Sequence, residues 1–172
     1  MDESSDKSTF ERFAEVMHRH GVKYIVIGGQ AETLHGSARI TYDIDVCYQR
    51  SRENLERLSK ALREMKVSLR GAPADLPFLV DARTLESGCN FTFNSIFDAV
   101  DFLGFVEPIG GFEEVAMNAT SYVIDGLTIA AISLDDLIRI KRHLNRPKDR
   151  ESLMHLLAIK QVREEGSDPP SA

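Results

Sequence analysis

The stretch that decides the fold runs from Tyr24 to Val46 and reads YIVIGGQAETLHGSARITYDIDV. Lys23 to Ile27, which leads into it, is a β-branched run that stops at Gly28-Gly29. Such a run, closed by glycines, predicts a buried strand. Gln30 to His35 then predicts a short helix closed by Gly36, and Ile40 to Tyr48 a second strand. On that strand Asp43 and Asp45 are two residues apart, so both carboxylates point to one side while Ile44 and Val46 face the core. Two acids so close repel each other, and a divalent cation relieves the repulsion. Hard cations such as Mg²⁺ take carboxylate oxygens and are commonly shared with substrate phosphates. Asp-x-Asp alone is as readily a solvated strand edge. Gly28-Gly29 shifts the balance, because glycines let backbone approach a ligand closely and a helix start offers unpaired N–H groups to phosphate.

Outward from this stretch, helices and strands alternate. Ser8 and Glu11 form a capping box ahead of Phe10, Phe13, Val16 and Met17, and Gly21 ends that helix. Ser51 caps a helix carrying Leu55, Leu58, Leu62 and Met65. Residues 70–78 read as a mobile Gly/Pro loop. Cys89–Asn94 and Ala99–Phe105 predict two strands, and Gly110-Gly111 a loop. Asp125-Gly126 predicts the turn of a hairpin joining Tyr122–Ile124 to Leu127–Ile129. Ser133 caps a helix to about Leu144, and a last helix starts near Arg146-Pro147 and runs to about Glu164. The expected class is α/β in the mixed α+β sense: a mixed sheet with helices packed on it and a short C-terminal helical pair. The expected organisation is a polar tip over residues 1–7, a core over 8–132, C-terminal helices over 133–165 packed on it, and a frayed tail over 166–172.

The chain has 172 residues and a net charge of −6. That length suits one domain, and that charge argues against broad electrostatic binding of nucleic acid. Basic residues do gather late, in Arg139, Lys141, Arg142, Arg146, Lys148 and Arg150. The acidic start predicts no secretory leader, no apolar run predicts a membrane span, and Cys47 and Cys89 read as free thiols, so a cytoplasmic location is expected.

The Gly-Gly, the spacer and Asp-x-Asp on the next strand together resemble the polymerase-beta-like nucleotidyltransferase superfamily. Ala31, His35-Gly36, Arg39 and Thr41, with the late segments Ser133–Lys141 and Arg146–Arg150, are most similar to its small branch. That branch includes minimal nucleotidyltransferases and abortive-infection toxins of toxin–antitoxin systems. The resemblance implies a third carboxylate on a neighbouring strand. Asp101 is the candidate, as an acid flanked by apolar residues, and Asp98 is the alternative, read as part of a turn. It implies that Asp43, Asp45 and Asp101 hold two Mg²⁺ (or Mn²⁺) ions, that an acceptor hydroxyl attacks the α-phosphate of a nucleoside triphosphate, and that the third acid takes the hydroxyl proton. Candidate nucleotide contacts are Gly28, Gly29, Arg39, Thr41, Lys141 and Lys148. Each basic residue is as readily a solvated helix face. Gln30 either contacts nucleotide or simply begins the helix, and His35 reads as a structural helix-end histidine. The implied acceptor is an RNA end, a protein or a small molecule such as an antibiotic, with a cognate protein partner if the chain is a toxin–antitoxin component. The competing reading is a non-catalytic nucleotide-binding or antitoxin-like module. The short C-terminal region leaves little chain to recognise an acceptor.

Overall fold

A computed structural model describes residues 6–73 and 75–167. Most of the expected N-terminal tip and C-terminal tail lies outside these residues. Helix α1 (Thr9–Arg19) starts at the capping box: Ser8 Oγ accepts from the Glu11 amide at 3.2 Å, and the Glu11 carboxylate accepts from the Ser8 amide at 2.6 Å. It buries Phe13 and Met17 and ends at Gly21, whose φ of +65° suits a residue without Cβ. Strand β1 (Tyr24–Ile27) and helix α2 (Gly28–Leu34) follow, then β2 (Ile44–Tyr48) and α3 (Arg52–Glu64). The Ser51 hydroxyl caps α3, which buries Leu55, Leu58 and Leu62.

Next come β3 (Ser68–Leu69), α4 (Ala82–Ser87), β4 (Asn90–Ser95), β5 (Asp98–Leu103) and α5 (Phe112–Met117). Strands β6 (Thr120–Ile124) and β7 (Leu127–Ala131) form the expected hairpin, with positive φ at both Asp125 and Gly126. Two positive φ values in succession match the right-handed twist of the paired strands. Helix α6 (Leu134–Leu144) is capped by Ser133, and α7 (Pro147–Ser167) follows.

One mixed seven-stranded sheet runs β3-β4-β5-β2-β1-β7-β6. The pairs β2/β5 and β1/β7 are parallel and the other pairs antiparallel. Beneath it Phe13, Tyr48, Phe93 and Phe102 are fully buried, with ring centroids 6.1–6.3 Å apart in the contacting pairs. Such aromatic pairs add to the stabilisation from burial alone. Among the described residues no helix is long and apolar enough to cross a membrane.

Three expectations are corrected. The second strand starts at Ile44, not Ile40. Strand β1 ends at Ile27, opposite Asp45, and the chain then turns into α2, so residues before Ile44 have no ladder partner. Ile40 and Tyr42 are accordingly exposed. Helix α2 starts at Gly28, two residues early. The last helix extends to Ser167, past Glu164. Helices α4 and α5 and strand β3 were not foreseen, being six, six and two residues long and too short to show a period.

Candidate functional site

Sheet register, more than sequence spacing, builds the site. Ile27 on β1 lies opposite Asp45 on β2, and Asp45 lies beside Asp101 on β5. Thr92 on β4 lies opposite Asp101, and the Arg70 amide donates to the Thr92 carbonyl at 2.9 Å. Five positions thus form one row across the sheet. Ile44 and Val46 on β2, and Val100 and Phe102 on β5, are fully buried. The alternation of a strand therefore turns Asp45 and Asp101 to the other face. Burial, the nearby Asp101 carboxylate and then Asp43 push the Asp45 carboxyl up to about 7, against a small opposing pull from Lys141. Asp98 sits in the turn at the far end of β5, where its carbonyl accepts from Ser95 Oγ at 3.0 Å.

Both glycines are required by close approach. Gly28 has φ +62°, and a Cβ there would run into the Asp45 carboxylate. A Cβ on Gly29 would come within 2.6 Å of Thr41 Oγ1. The segment 37–43 thus folds back over the first turn of α2, and Thr41 Oγ1 donates to the Asp43 carbonyl at 3.4 Å.

The C-terminal helices supply a buried charge network. Lys141 Nζ lies 2.8 Å from Glu32 and 3.6 Å from Asp149. Asp149 is fully buried, and its carboxylate accepts from Arg146 Nε at 2.6 Å, from Nη2 at 3.3 Å and from the Arg146 amide at 3.2 Å. Burial alone would raise this carboxyl, but the Arg146 hydrogen bonds and the Lys141 and Arg146 charges outweigh it and hold it below the ordinary value. Arg39 donates to Ser152 Oγ and, at 3.5 Å, to the Lys148 carbonyl.

These groups line one cleft of about 720 Å³. Of the candidate residues, Gly28, Gly29, Arg39, Thr41, Asp43, Asp45, Asp101, Lys141 and Lys148 lie on its wall, and Gln30 does not. A second concavity of about 480 Å³, between α1, α5 and β7, has no carboxylate in its lining. His35 is buried: its Nε2–H donates to the Ile132 carbonyl at 2.7 Å, and Nδ1 accepts from the Tyr122 hydroxyl at 2.9 Å. That is a structural bracket.

Sequence reasoning missed Arg70, which forms an ion pair with Asp101, and Glu32. Only the register of β3, β4 and β5 puts Arg70 beside Asp101. Glu32 carried one signal, an acid between Ala31 and Leu34 on a short helix. The expected placement of Asp43 on the strand is also corrected, since it precedes β2 and is exposed. Among the described residues no group of three or more His, Cys, Asp or Glu side chains is gathered closely enough to hold a metal ion. Asp45 and Asp101 fit a hard divalent cation by donor chemistry, as two repelling oxygen ligands on neighbouring strands. Asp101 is meanwhile turned to Arg70.

A seven-stranded mixed sheet with paired acids at its centre beside a Gly-Gly turn is a fold shared with solved nucleotidyltransferases. The chain is similar to the lincosamide antibiotic adenylyltransferase LnuA in its lincomycin-bound structure, at 14% identity and TM-score 0.59, covering 88% of this chain and 96% of that one. It is similar to ANT(2")-Ia in complex with adenylyl-2"-tobramycin, at 13% identity and TM-score 0.55, covering 91% and 93%. A Thermotoga maritima protein provisionally assigned as a nucleotidyltransferase matches at 16% identity and TM-score 0.53, covering 87% and 90%. No protein-family model matches the sequence, and no curated protein does.

Proposed function

We propose that this chain transfers a nucleoside monophosphate from a nucleoside triphosphate to a hydroxyl of a small-molecule acceptor, with Mg²⁺ or Mn²⁺ required. The observation that carries the reading is the alignment of Ile27, Asp45 and Asp101 across three adjacent strands, with Gly28 packed against Asp45, on the wall of a cleft that also holds Arg39 and Lys148. The fold likeness to antibiotic adenylyltransferases supports it. Asp45 and Asp101, joined by Asp43, would hold the cation, which when bound neutralises the carboxylates and polarises the phosphates. Gly28 and Gly29 leave room for phosphate oxygens beside the acids. Arg39 grips phosphate as a fork and Lys148 as a point charge. Lys141 is already held by Glu32 and Asp149, so it positions α2 against α6 and α7. The acceptor oxygen bonds to the α-phosphorus, the bond from that phosphorus to the bridging oxygen breaks, and pyrophosphate leaves. Asp101, once Arg70 turns away, takes the hydroxyl proton.

Acids outnumber bases in the cleft lining, which gives an RNA acceptor, and the toxin role built on one, less support. The non-catalytic reading is favoured by one observation, the Arg70–Asp101 pair that occupies the third acid. Incubation with labelled triphosphates, Mg²⁺ or Mn²⁺ and a small-molecule hydroxyl panel separates the two. Transfer that falls about 10²-fold or more in Asp45→Asn and Asp101→Asn is expected. Triphosphate binding without transfer to any acceptor would leave the binding module as the answer.

A further inference from the structure

The cleft lining falls into two chemical sets. One set comes from the 37–43 segment, the first turn of α2 and the start of α7, and carries the glycines, Arg39 and Lys148. The other comes from the end of β5, the chain just after it and α6. Its apolar members are Leu103, Phe105, Val106, Leu137, Ile140 and Leu144. Phe105 is 51% exposed and Leu144 40% exposed. Large apolar side chains left open inside a concave site mark where a ligand covers them.

Polar groups in this second set are few. Asn90 Oδ1 accepts from the Gly104 amide at 3.0 Å, so its NH₂ remains to donate. Glu107 follows Val106 with its side chain 72% exposed, and its one ion-pair partner among the described residues is His143 at 3.5 Å. The remaining acids of the cleft are committed. Asp43, Asp45 and Asp101 form the catalytic set, while Glu32 and Asp149 are held by Lys141 and Arg146. A polyamine would need several free carboxylates, and this region offers one. The whole cleft measures about 720 Å³, inside the range of roughly 300–1,000 Å³ typical of small-ligand sites. A triphosphate must share that space, which leaves room inside the cleft for a compact acceptor.

We propose that the acceptor is a compact hydroxylated small molecule with one apolar face and at most one basic amine, seated on Phe105 and Leu144 with any amine directed to Glu107. This rests on the transferase reading of the same cleft and narrows its substrate class.

Calorimetry on the full chain with Mg²⁺ tests it in two stages. Non-hydrolysable triphosphates are titrated first. The triphosphate-loaded protein is then titrated with three groups of probes: apolar-faced hydroxylated compounds that are neutral or monoamine (lincomycin among them), polyamines such as tobramycin, and a short RNA with a free 3′ hydroxyl. The apolar-faced group binds at least about tenfold more tightly than the others. Removing the Phe105 ring forfeits about 1.5–3 kcal/mol of apolar burial, a factor of roughly 10–150. Phe105→Ala therefore weakens this group at least about tenfold while triphosphate affinity stays within about twofold. Glu107→Gln weakens the monoamines and spares the neutral compounds. Polyamine or RNA affinity equal to the apolar group's, no binding by any apolar-faced probe, or a neutral Phe105→Ala would overturn the inference while intact triphosphate binding leaves the transferase reading standing. Failure of triphosphate binding itself removes both.

Discussion

Replacing Asp149 by Asn keeps the side chain's shape and removes the charge that joins α6 to α7. The carboxylate is fully buried and accepts three hydrogen bonds from Arg146, with Lys141 at 3.6 Å. Asparagine turns an NH₂ donor toward groups that are themselves donors. Deleting one partner of a buried pair costs about 3–5 kcal/mol. Arg146 is half exposed and can return to water, so the lower end, about 3 kcal/mol, applies. For a domain of this size that lowers Tm by about 6–12 °C. Thermal melts followed by circular dichroism at neutral pH measure it. The pH dependence has a definite sign. The folded carboxyl lies below its ordinary value of 3.8. Its stabilisation is therefore present above that value and lost as pH falls through the lower folded value. The deficit of Asp149→Asn should stay constant from neutral pH to about pH 4 and narrow below it. Adding Lys141→Met, which removes the stranded cation, should recover part of the loss. A neutral-pH shift under about 2 °C, or a deficit that grows in acid, would refute the proposed role of the network.

Three further outcomes are expected. Gly28→Ala forces a side chain at φ +62° into the Asp45 carboxylate and should lose about 1–3 kcal/mol of stability together with triphosphate affinity, read by urea unfolding and calorimetry. Unchanged affinity would mean that the Gly28 approach is not used. Arg70→Ala frees Asp101 from a partly exposed ion pair. Such pairs are worth about 0.2–1 kcal/mol, so Mn²⁺ affinity, read by electron paramagnetic resonance, should rise by up to about fivefold. Burial holds His35 below its ordinary 6.5, despite the Ile132 hydrogen bond, with Arg163 adding to the effect. The unfolded chain therefore binds the proton more readily, so His35 lowers stability as pH drops below about 6.5, and urea midpoints of His35→Gln should show a shallower acid slope.

Local chemistry made much of the fold legible. Ser8-Glu11, Ser51 and Ser133 announced helix starts because a capping hydroxyl acts within three residues. Asp125-Gly126 announced a hairpin because its backbone requirement is local. The nearness of two acids was legible as well: the resemblance implied a third carboxylate on a strand neighbouring Asp45, and β5 sets Asp101 beside it. What stayed hidden depends on register. Arg70 lies 31 residues from Asp101 in the chain and meets it only because β4 separates them by one strand. The unpaired state of residues 40–43 follows from where β1 stops, which the alternation in ITYDIDV could not reveal. Asp149 lies in the Arg146–Arg150 segment, but its burial beside Lys141 depends on how α7 packs on α6, which no local pattern shows.

Helix α7 is tied to the early chain near both ends: Arg39 bonds to Ser152, and Arg163 Nη2 donates to the His35 carbonyl at 3.0 Å. It also follows every other element in chain order. On a ribosome adding about 5–20 residues per second, its 21 residues emerge over about 1–4 s. During that interval Asp45 and Asp101 can already stand side by side on a finished sheet, while Lys148, the Ser152 that meets Arg39 and the Asp149 that meets Lys141 are still being made. A nascent chain therefore acquires its acids before the wall that would hold a triphosphate over them, and the cleft closes only as synthesis passes α7.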